Sequence, residues 1–239
     1  MTDSEKHTPD GGSDASERDC EVERDLTSRF DVAECDVKVA GHCYTILRPT
    51  SPEDLISEED FERDERLPYW ADLWPSAHVL AREIAGMPGN GRTMLELGCG
   101  LGLVSVVALR AGWNVLATDY YDDALLFALA NAQRNGQPLL RTANLDWRAL
   151  PDNLSTFDLV VASDVLYERP YAEIVARVLR STLRRGGEAL IADPGRLAAR
   201  DFVLALEGMG MRVRRDGPHE WRDGDIVQQV TIIRVVHGS

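Results

Sequence analysis

The sequence predicts an α/β fold, a doubly wound, mostly parallel seven-stranded sheet whose last strand is antiparallel. Three observations support this prediction. From residue 67 onward, segments with helical periodicity alternate with short apolar segments, which is typical of βαβ units. The run FDLVVA at 157–162 has the apolar character of a strand that is buried on both faces. A glycine-rich loop at 98–102 follows a predicted strand and precedes a predicted helix, as in parallel sheets that bind a ligand at this turn.

The predicted elements follow one another in a regular order. Ser76 is a candidate N-cap for the first helix, and Pro170 suits the first turn of a later one. The pair Gly186-Gly187 is expected to end that later helix. The last two strands have no helix between them, so a turn at 216–225 would make the final strand antiparallel, inserted at an edge. The predicted helices are 76–85, 103–111, 122–134, 170–183 and 197–208, and the predicted strands are 93–97, 114–118, 139–143, 157–162, 188–192, 211–215 and 227–236.

A small N-terminal extension precedes the main domain, which is predicted to span residues 67–239. Residues 1–28 are polar and acidic and are expected to form a disordered tail. Residues 29–66 are predicted to form a β-hairpin around Gly41, followed by an acidic segment. Residues 1–65 contain 20 of the 40 Asp and Glu residues but 7 of the 26 Lys and Arg residues. Most of the net charge of −14 therefore lies here, as a solubilising tail or as a region that attracts a basic partner.

The composition excludes several classes of protein. No run of about 18 apolar residues is present, so no transmembrane helix is predicted. The N-terminus lacks the basic and apolar regions of a signal peptide, and the four cysteines form no CxxC pair. We therefore expect a cytoplasmic protein with reduced thiols. The negative charge provides no basic surface for a nucleic acid, so DNA and RNA are not expected partners.

The strongest chemical signal is the segment MLELGCGLG at 94–102. Gly98, Gly100 and Gly102 allow a sharp turn and a close approach of a ligand to the backbone. Their GxGxG spacing differs from the GxGxxG of loops that bind a dinucleotide pyrophosphate. Glu96, just before the glycines, suits the ammonium group of S-adenosylmethionine, which has an amino-acid tail in place of a pyrophosphate. A capping or ion-pair role is the structural alternative for Glu96.

Acidic residues follow the next two predicted strands. Asp119 ends the second strand, where a carboxylate can accept hydrogen bonds from both hydroxyls of a ribose; capping the next helix is the alternative. Asp146 follows the third strand and can accept a hydrogen bond from the exocyclic amine of adenine. Trp147 can then lie against the face of the ring, although a place in the core is its alternative.

The segment SDVLY at 163–167 follows the fourth strand. Because the carboxyl ends of parallel strands face the ligand crevice, Asp164 and Tyr167 are expected to line it. A buried carboxylate with a phenol three residues later can orient an amine nucleophile. These two residues are therefore the predicted catalytic pair. The alternatives are a loop hydrogen bond for Asp164 and packing for Tyr167.

Four segments in order resemble the seven-strand methyltransferases of family 16, which are mostly protein-lysine methyltransferases. They are YWADLWPS at 69–76, ELGCGLGLVS at 96–105, LDW at 145–147 and SDVLY at 163–167. The resemblance implies a Rossmann-like fold, S-adenosyl-L-methionine as cofactor, and a substrate-side role for Asp164 and Tyr167. Packing is the alternative role for Trp74. The residues for which the resemblance implies cofactor contacts are Trp74, Gly98, Gly100, Asp119, Trp147 and Ser163.

Within that family, the run IADPGR at 191–196 is most similar to the branch that methylates lysines of the electron-transfer flavoprotein β-subunit. The same run shares two residues with a motif of amino-methylating DNA enzymes. It lacks the second proline and the aromatic residue of that motif, and it follows the fifth strand instead of the fourth. The resemblance to the lysine-specific branch is therefore the better supported of the two.

The function expected from this resemblance is S-adenosylmethionine-dependent N-methylation of lysine side chains in a protein substrate, with residues 67–239 as the methyltransferase domain. Methyl transfer requires alignment of the acceptor and exclusion of water, and it needs no metal ion. A neighbouring carboxylate raises the pKa of an amine, so Asp164 is expected to position the acceptor and not to act as a strong base. A methyltransferase for a small molecule or another nitrogen, and a cofactor-binding interaction module with little catalysis, stay open as alternatives.

Overall fold

The computed structural model describes residues 22–51, residue 55 and residues 68–238. Residues 1–21 of the expected tail, and most of the expected acidic segment, lie outside the described residues. The described part contains six α-helices and nine β-strands. The helices are α1 (22–29), α2 (Pro75–Ala85), α3 (Leu103–Arg110), α4 (Asp122–Arg134), α5 (Arg169–Thr182) and α6 (Ala198–Gly208). The strands are β1 (Val32–Val39), β2 (His42–Pro49), β3 (Thr93–Leu97), β4 (Asn114–Asp119), β5 (Arg141–Asn144), β6 (Phe157–Ser163), β7 (Leu183–Asp193), β8 (Met211–Asp223) and β9 (Ile226–His237).

The main sheet has seven strands in the order β5-β4-β3-β6-β7-β9-β8. Strands β5, β4, β3, β6 and β7 are parallel, whereas β9 is antiparallel to both of its neighbours. This arrangement confirms the predicted fold class. The chain moves outward from β3 through β4 to β5, and then returns to the other side of β3 as β6. Such a reversal opens a crevice at the carboxyl ends of β3 and β6, where α/β proteins bind their ligands.

Helices cover both faces of this sheet and enclose two apolar cores. Helices α2, α3 and α4 pack on one face, where Leu80 and Phe127 are among the fully buried side chains. Helices α5 and α6 pack on the opposite face, around residues such as Leu179 and Phe202. Burial on both faces explains why the central strand β6 is apolar along nearly its whole length.

The end of the sheet differs from the prediction in two respects. The final strand β9 lies between β7 and β8, and not at an edge. Its apolar side chains on both faces, including Val230 and Ile233, are buried, which suits an interior strand. The expected turn at 216–225 is also much shorter, because β8 continues to Asp223 and β9 begins at Ile226. Gly217-Pro218 instead lies at a register shift within the hairpin, which is a β-bulge.

The pair Gly186-Gly187 does not end a helix, contrary to the prediction. Helix α5 ends at Thr182, and β7 begins at Leu183, ahead of the predicted start at residue 188. The register between β6 and β7 shifts here, so the glycines lie in a bulge of β7. A Cβ atom on Gly187 would lie 2.8 Å from the carbonyl oxygen of Asp158, which explains the need for glycine.

The N-terminal extension is held against the main domain. Residues 22–28, expected to belong to the tail, form most of helix α1, whose Leu26 is fully buried in the core beside α4. The expected hairpin is present as β1 and β2, which turn at Ala40 and Gly41. Asn131 of α4 and Asn135, the C-cap of that helix, bind the backbone of β2, so the hairpin packs against α4. In the described part of the chain, no helix has the length and apolar character needed to cross a bilayer.

Candidate functional site

A cavity opens at the carboxyl ends of β3, β4 and β6, next to the segment 69–77. It lies where the strand order reverses, as expected for a ligand crevice in this class of sheet. Ten of the eleven residues predicted for the site line it, and Gly102 does not. The ten are Trp74, Glu96, Gly98, Gly100, Asp119, Asp146, Trp147, Ser163, Asp164 and Tyr167.

The glycine loop brings the backbone close to the neighbouring elements. Gly98 and Gly100 have positive φ angles of 66° and 49°, which residues with a side chain rarely adopt. A Cβ atom on Gly98 would lie 3.2 Å from Val165 Cγ1, and one on Gly100 would lie 3.0 Å from the carbonyl oxygen of Trp70. A side chain at either position would therefore distort the loop and occupy space beside the cavity.

Gly102 serves the packing of two helices. It precedes α3 with a φ angle of 81°, and a Cβ atom there would lie 2.8 Å from Ala128 Cβ on α4. The requirement for glycine at this position is therefore explained by the contact between α3 and α4. Contact with a cofactor is not needed to account for it.

Glu96 is buried at the end of β3 and accepts a hydrogen bond from the hydroxyl of Ser105 on α3. Removal of the carboxylate from water raises its pKa to about 8, in spite of that hydrogen bond. A carboxyl group in this state carries a proton for much of the neutral pH range. It can become fully ionised when a cationic group enters the cavity beside it.

Asp119 lies at the end of β4 and holds the glycine loop in place. Its Oδ2 accepts a hydrogen bond from the backbone amide of Gly100 at 3.0 Å, and its Oδ1 accepts one from the amide of Tyr121 at 3.2 Å. Burial raises the pKa of Asp119, while these hydrogen bonds act in the opposite direction. The N-cap position of α4 is occupied by Tyr121, so the capping alternative for Asp119 does not describe the structure.

The segment after β5 contributes a polar and an aromatic side chain. Asp146 forms an ion pair with Arg148, whose Nε lies 2.9 Å from its Oδ1. Trp147 lies edge-on to Tyr171, with 5.8 Å between the ring centroids. The indole Nε1 of Trp147 is buried and has no hydrogen-bond partner among the described residues. Because buried donors are nearly always paired, this group is available to a ligand in the cavity.

Asp164 has a left-handed backbone, with a φ angle of 60°, and its side chain is 6% exposed. Both carboxylate oxygens are already bound. Oδ1 accepts hydrogen bonds from Nε and Nη2 of Arg196 at 2.8 and 2.6 Å, and Oδ2 accepts one from Ser76 at 3.1 Å. Ser76 is therefore not the N-cap that the sequence predicted. Helix α2 begins at Pro75 with Trp74 as its N-cap, which leaves the Ser76 hydroxyl free to reach Asp164.

Aromatic rings surround the polar groups of the cavity. Tyr167 lies 5.5 Å from Tyr69 and 4.8 Å from Tyr171, measured between ring centroids. Trp74 contacts Tyr69 edge-on, and its Nε1 donates a hydrogen bond to the Tyr69 carbonyl at 2.7 Å. Carboxylates, backbone amides and aromatic faces thus line one crevice, and this combination suits a ligand with cationic, hydroxyl and aromatic groups.

The sequence pattern of the methyltransferase domain family matches residues 95–189. The chain is 31% identical over 143 residues to the electron transfer flavoprotein beta subunit lysine methyltransferase of Danio rerio, a match that covers 57% of this chain and 54% of that protein. It is 26% identical over 227 residues to the calmodulin-lysine N-methyltransferase of Arabidopsis thaliana, covering 80% and 74% of the two chains.

The methyltransferase fold also recurs among solved structures. The ribosomal protein L11 methylase of Lactobacillus delbrueckii subsp. bulgaricus superposes with a TM-score of 0.53 at 22% identity, covering 67% of this chain and 77% of that one. The resemblance predicted from the sequence is therefore confirmed. The chain spans about half the length of the Danio rerio relative.

Several side chains in and around the cavity were not predicted from the sequence. Arg196 and Ser76 bind Asp164, and Tyr69 and Tyr171 extend the aromatic lining. Arg196 follows β7, whose carboxyl end lies at the same edge of the sheet, so the rule that indicated Asp164 could also have indicated Arg196. Tyr171 is on α5 and enters the cavity only through tertiary packing, for which the sequence has no local signal.

Proposed function

We propose that this chain is an S-adenosylmethionine-dependent methyltransferase that N-methylates lysine side chains of a protein substrate. The observation that supports it best is the grouping of Glu96, Asp119 and the glycine loop in one crevice at the carboxyl edge of the sheet. The names of the similar proteins support the choice of a lysine acceptor. The identity with the Danio rerio relative makes an electron transfer flavoprotein β-subunit the first substrate to test.

The residues of the crevice fit this cofactor in chemistry as well as in space. Glu96 can accept from an ammonium group, and Asp119 from ribose hydroxyls, because both carboxylates line the cavity. The unpaired Trp147 Nε1 and the neighbouring Asp146 offer a donor and an acceptor for a purine. Gly98 and Gly100 line the cavity without a side chain, which gives the ligand direct access to their backbone groups. We therefore propose these residues, with Trp74 and Ser163, as the cofactor site.

Glu96, Asp119 and the glycine loop would hold S-adenosylmethionine, which would supply the methyl group. The carbon–sulfur bond would break with its electron pair left on sulfur, and the methylated nitrogen would release one proton to water. The chain itself orients the acceptor and excludes water. Tyr167, Tyr69 and Tyr171 offer apolar faces on which the aliphatic part of a lysine can pack. Asp164, fixed by its two partners, is proposed to position the nitrogen. Orientation of this kind can supply several of the roughly 7–11 kcal/mol available from well-aligned reactions.

The finer features expected from the sequence belong to the same proposal. A protein substrate is consistent with the strongly acidic N-terminal region of the chain, and a cytoplasmic location is proposed with it. A basic segment around the acceptor lysine would be attracted by that region. Nucleic acid is not proposed as a substrate, because the net charge of −14 opposes its binding.

The function is tested by incubating the purified protein with S-adenosylmethionine labelled at the methyl group and with an extract of its source cells, alongside purified electron transfer flavoprotein β-subunit. Label is expected in lysine residues of one or a few proteins. Asp164→Asn is expected to reduce the labelling rate at least 100-fold, which is equivalent to about 2.7 kcal/mol. The affinity for the cofactor should change less than threefold. Asp201→Asn, on the exposed surface of α6, is the matched control and should label normally.

Each alternative function predicts a different result in that experiment. Label confined to small molecules would indicate a small-molecule methyltransferase. Tight cofactor binding without any transfer would indicate an interaction module. Absence of affinity for the cofactor would contradict the whole proposal.

A further inference from the structure

We propose that Arg196 is a positioning residue that holds Asp164 in place and counteracts its charge, so that the acceptor amine is bound in its neutral, reactive form. The inference rests on the proposed function and deepens it, because it names the group that sets the protonation state of the acceptor. Neither the methyltransferase domain pattern, which ends at residue 189, nor the cavity lining includes Arg196.

The Asp164 carboxylate is constrained from two directions. The backbone amide of Asp164 donates to the carbonyl oxygen of Ala192 at 2.9 Å, which fixes the turn after β6 against β7. Two nitrogens of Arg196 bind one carboxylate oxygen, and Ser76 binds the other. A carboxylate held by three donors from two different segments has little freedom to rotate. The direction in which it faces the cavity is therefore set before any substrate binds.

The backbone of Arg196 is held in a turn by hydrogen bonds to the Asp193 side chain. The Oδ1 atom of Asp193, at the end of β7, accepts hydrogen bonds from the backbone amides of Gly195 and Arg196, both at 2.8 Å. Gly195 has a φ angle of 95°, which allows the chain to reverse there. The guanidinium carbon of Arg196 lies 5.9 Å from the centre of the Trp74 ring. These contacts direct the side chain to Asp164, although 34% of it stays exposed.

The charge of Arg196 has a definite effect on an amine in the cavity. A buried carboxylate alone favours the ammonium form of a nearby lysine and raises its pKa, whereas methyl transfer requires the neutral amine. A guanidinium bound to that carboxylate opposes the effect, since the amine then meets an ion pair with no net charge. Asp164 can therefore orient the nitrogen through a hydrogen bond without trapping it as an ammonium ion. Lysine could not fully replace arginine here, because one ammonium cannot place two donors on one oxygen in this geometry.

Other titratable groups also face this part of the cavity and are present in every variant compared below. They come from the segment 69–77, β3, the glycine loop, β4, α5, β7 and the segments that follow β4, β5 and β6. These groups are Tyr69, Asp72, Glu96, Cys99, Asp119, Tyr120, Tyr121, Asp146, Arg148, Tyr167, Tyr171 and Asp193. Their contribution is common to the wild type and the variants, so it cancels when pH profiles are compared.

The experiment compares the wild type with Arg196→Gln and Arg196→Lys, using as acceptor the protein that the wild type labels most strongly in the cell extract. The pH dependence of single-turnover methylation is measured with the acceptor saturating, and the acceptor Kd is measured with S-adenosylhomocysteine bound. In Arg196→Gln, we expect the acidic limb of the pH–rate profile to move to higher pH by about one unit. At pH values below the limb, the methylation rate should therefore be about tenfold lower than in the wild type. The acceptor Kd should fall severalfold, because the unopposed carboxylate attracts the ammonium form.

Arg196→Lys keeps the charge and should restore the position of the limb, with a lower plateau rate. Cofactor affinity and melting temperature serve as controls for folding. An Arg196→Gln limb that stays at the wild-type pH, or a Kd that rises, would show a merely structural role and overturn the inference. Failure of the wild type to label any protein is a separate result, seen before the variants are compared, and it would remove the proposed function together with this inference.

Discussion

The carboxyl group of Glu96 accepts a hydrogen bond from the Ser105 hydroxyl, and neither side chain reaches the solvent. Glu96 is the penultimate residue of β3 and Ser105 lies in the first turn of α3, so the pair joins the strand before the glycine loop to the helix after it. Burial raises the pKa of Glu96 to about 8, far above its value of 4.5 in an unstructured chain. Stability and cofactor binding should therefore both depend on pH through this residue.

Glu96→Gln is expected to flatten the pH dependence of stability between about pH 5 and pH 8. In that window the folded wild type binds a proton at Glu96 that the unfolded chain has released. The free energy of unfolding therefore falls as pH rises, by up to about 1.4 kcal/mol per pH unit from this residue. Urea denaturation at several pH values measures the slope. An equally steep slope in Glu96→Gln would show that other groups are responsible.

Asp119→Asn should weaken binding of S-adenosylmethionine about 10- to 100-fold. The substitution removes a charged acceptor that holds the Gly100 amide and is proposed to bind the ribose hydroxyls, and charge-assisted hydrogen bonds contribute about 1.5–3 kcal/mol each. Calorimetric titration with the cofactor measures the change. Asp123→Asn, at the exposed start of α4, is a control that should bind as the wild type does.

Gly102→Ala should destabilise the protein more than Gly136→Ala. Both glycines have positive φ angles, 81° and 71°, so the backbone cost is similar, about 1–2 kcal/mol. A Cβ atom on Gly102 would also overlap Ala128, whereas one on Gly136 meets open space. We expect an additional loss of about 1–3 kcal/mol at Gly102 from overpacking. Equal losses in denaturant unfolding would argue against tight contact between α3 and α4.

Asn131→Ala is expected to loosen the N-terminal hairpin from the main domain. The Asn131 amide accepts from the Leu47 backbone N–H at 2.6 Å and donates to the carbonyls of Leu47 and Leu101 at 3.0 and 2.9 Å. Its loss leaves buried backbone groups unpaired, at a cost of about 2–3 kcal/mol.

The matched control is Asn135→Ala, one helical turn later. Asn135 binds Thr45 in the same two-sided manner, but the bonds are only partly buried. Water can therefore replace them, and the loss should be about 1 kcal/mol or less. Unfolding of both variants by urea gives the comparison, and hydrogen exchange of the β2 amides shows whether the hairpin opens locally. A larger loss in Asn135→Ala than in Asn131→Ala would contradict the explanation.

The order of strands and helices, and most of the cavity lining, could be predicted because their signals are local. The GxGxG loop after β3 and the acidic residues at the strand ends are visible in short segments. The contacts of Asp164 could not be predicted, since Ser76 and Arg196 are far from it in sequence. The sequence predicts that Ser76 is an ordinary N-cap, and only the fold shows that its hydroxyl donates to Asp164.

The errors at the end of the sheet have a physical origin. Gly-Pro and Gly-Gly pairs are typical of turns, yet Gly217-Pro218 and Gly186-Gly187 lie in bulges of long strands. A bulge and a turn require the same backbone freedom, so composition does not distinguish them. Which strand occupies the edge depends on the pairing of β9 with β7, a long-range contact.

The cavity is built from residues that begin at Tyr69 and end at Tyr171, while the anchor of Asp164 extends to Arg196. The segment that matches the methyltransferase domain pattern, 95–189, is therefore shorter than the part of the chain that forms the cavity and holds Asp164. A truncation to those bounds would lose the Trp74 side of the crevice together with both partners of Asp164. Chimeras intended to exchange specificity between relatives should accordingly transfer residues 69–196 as one block.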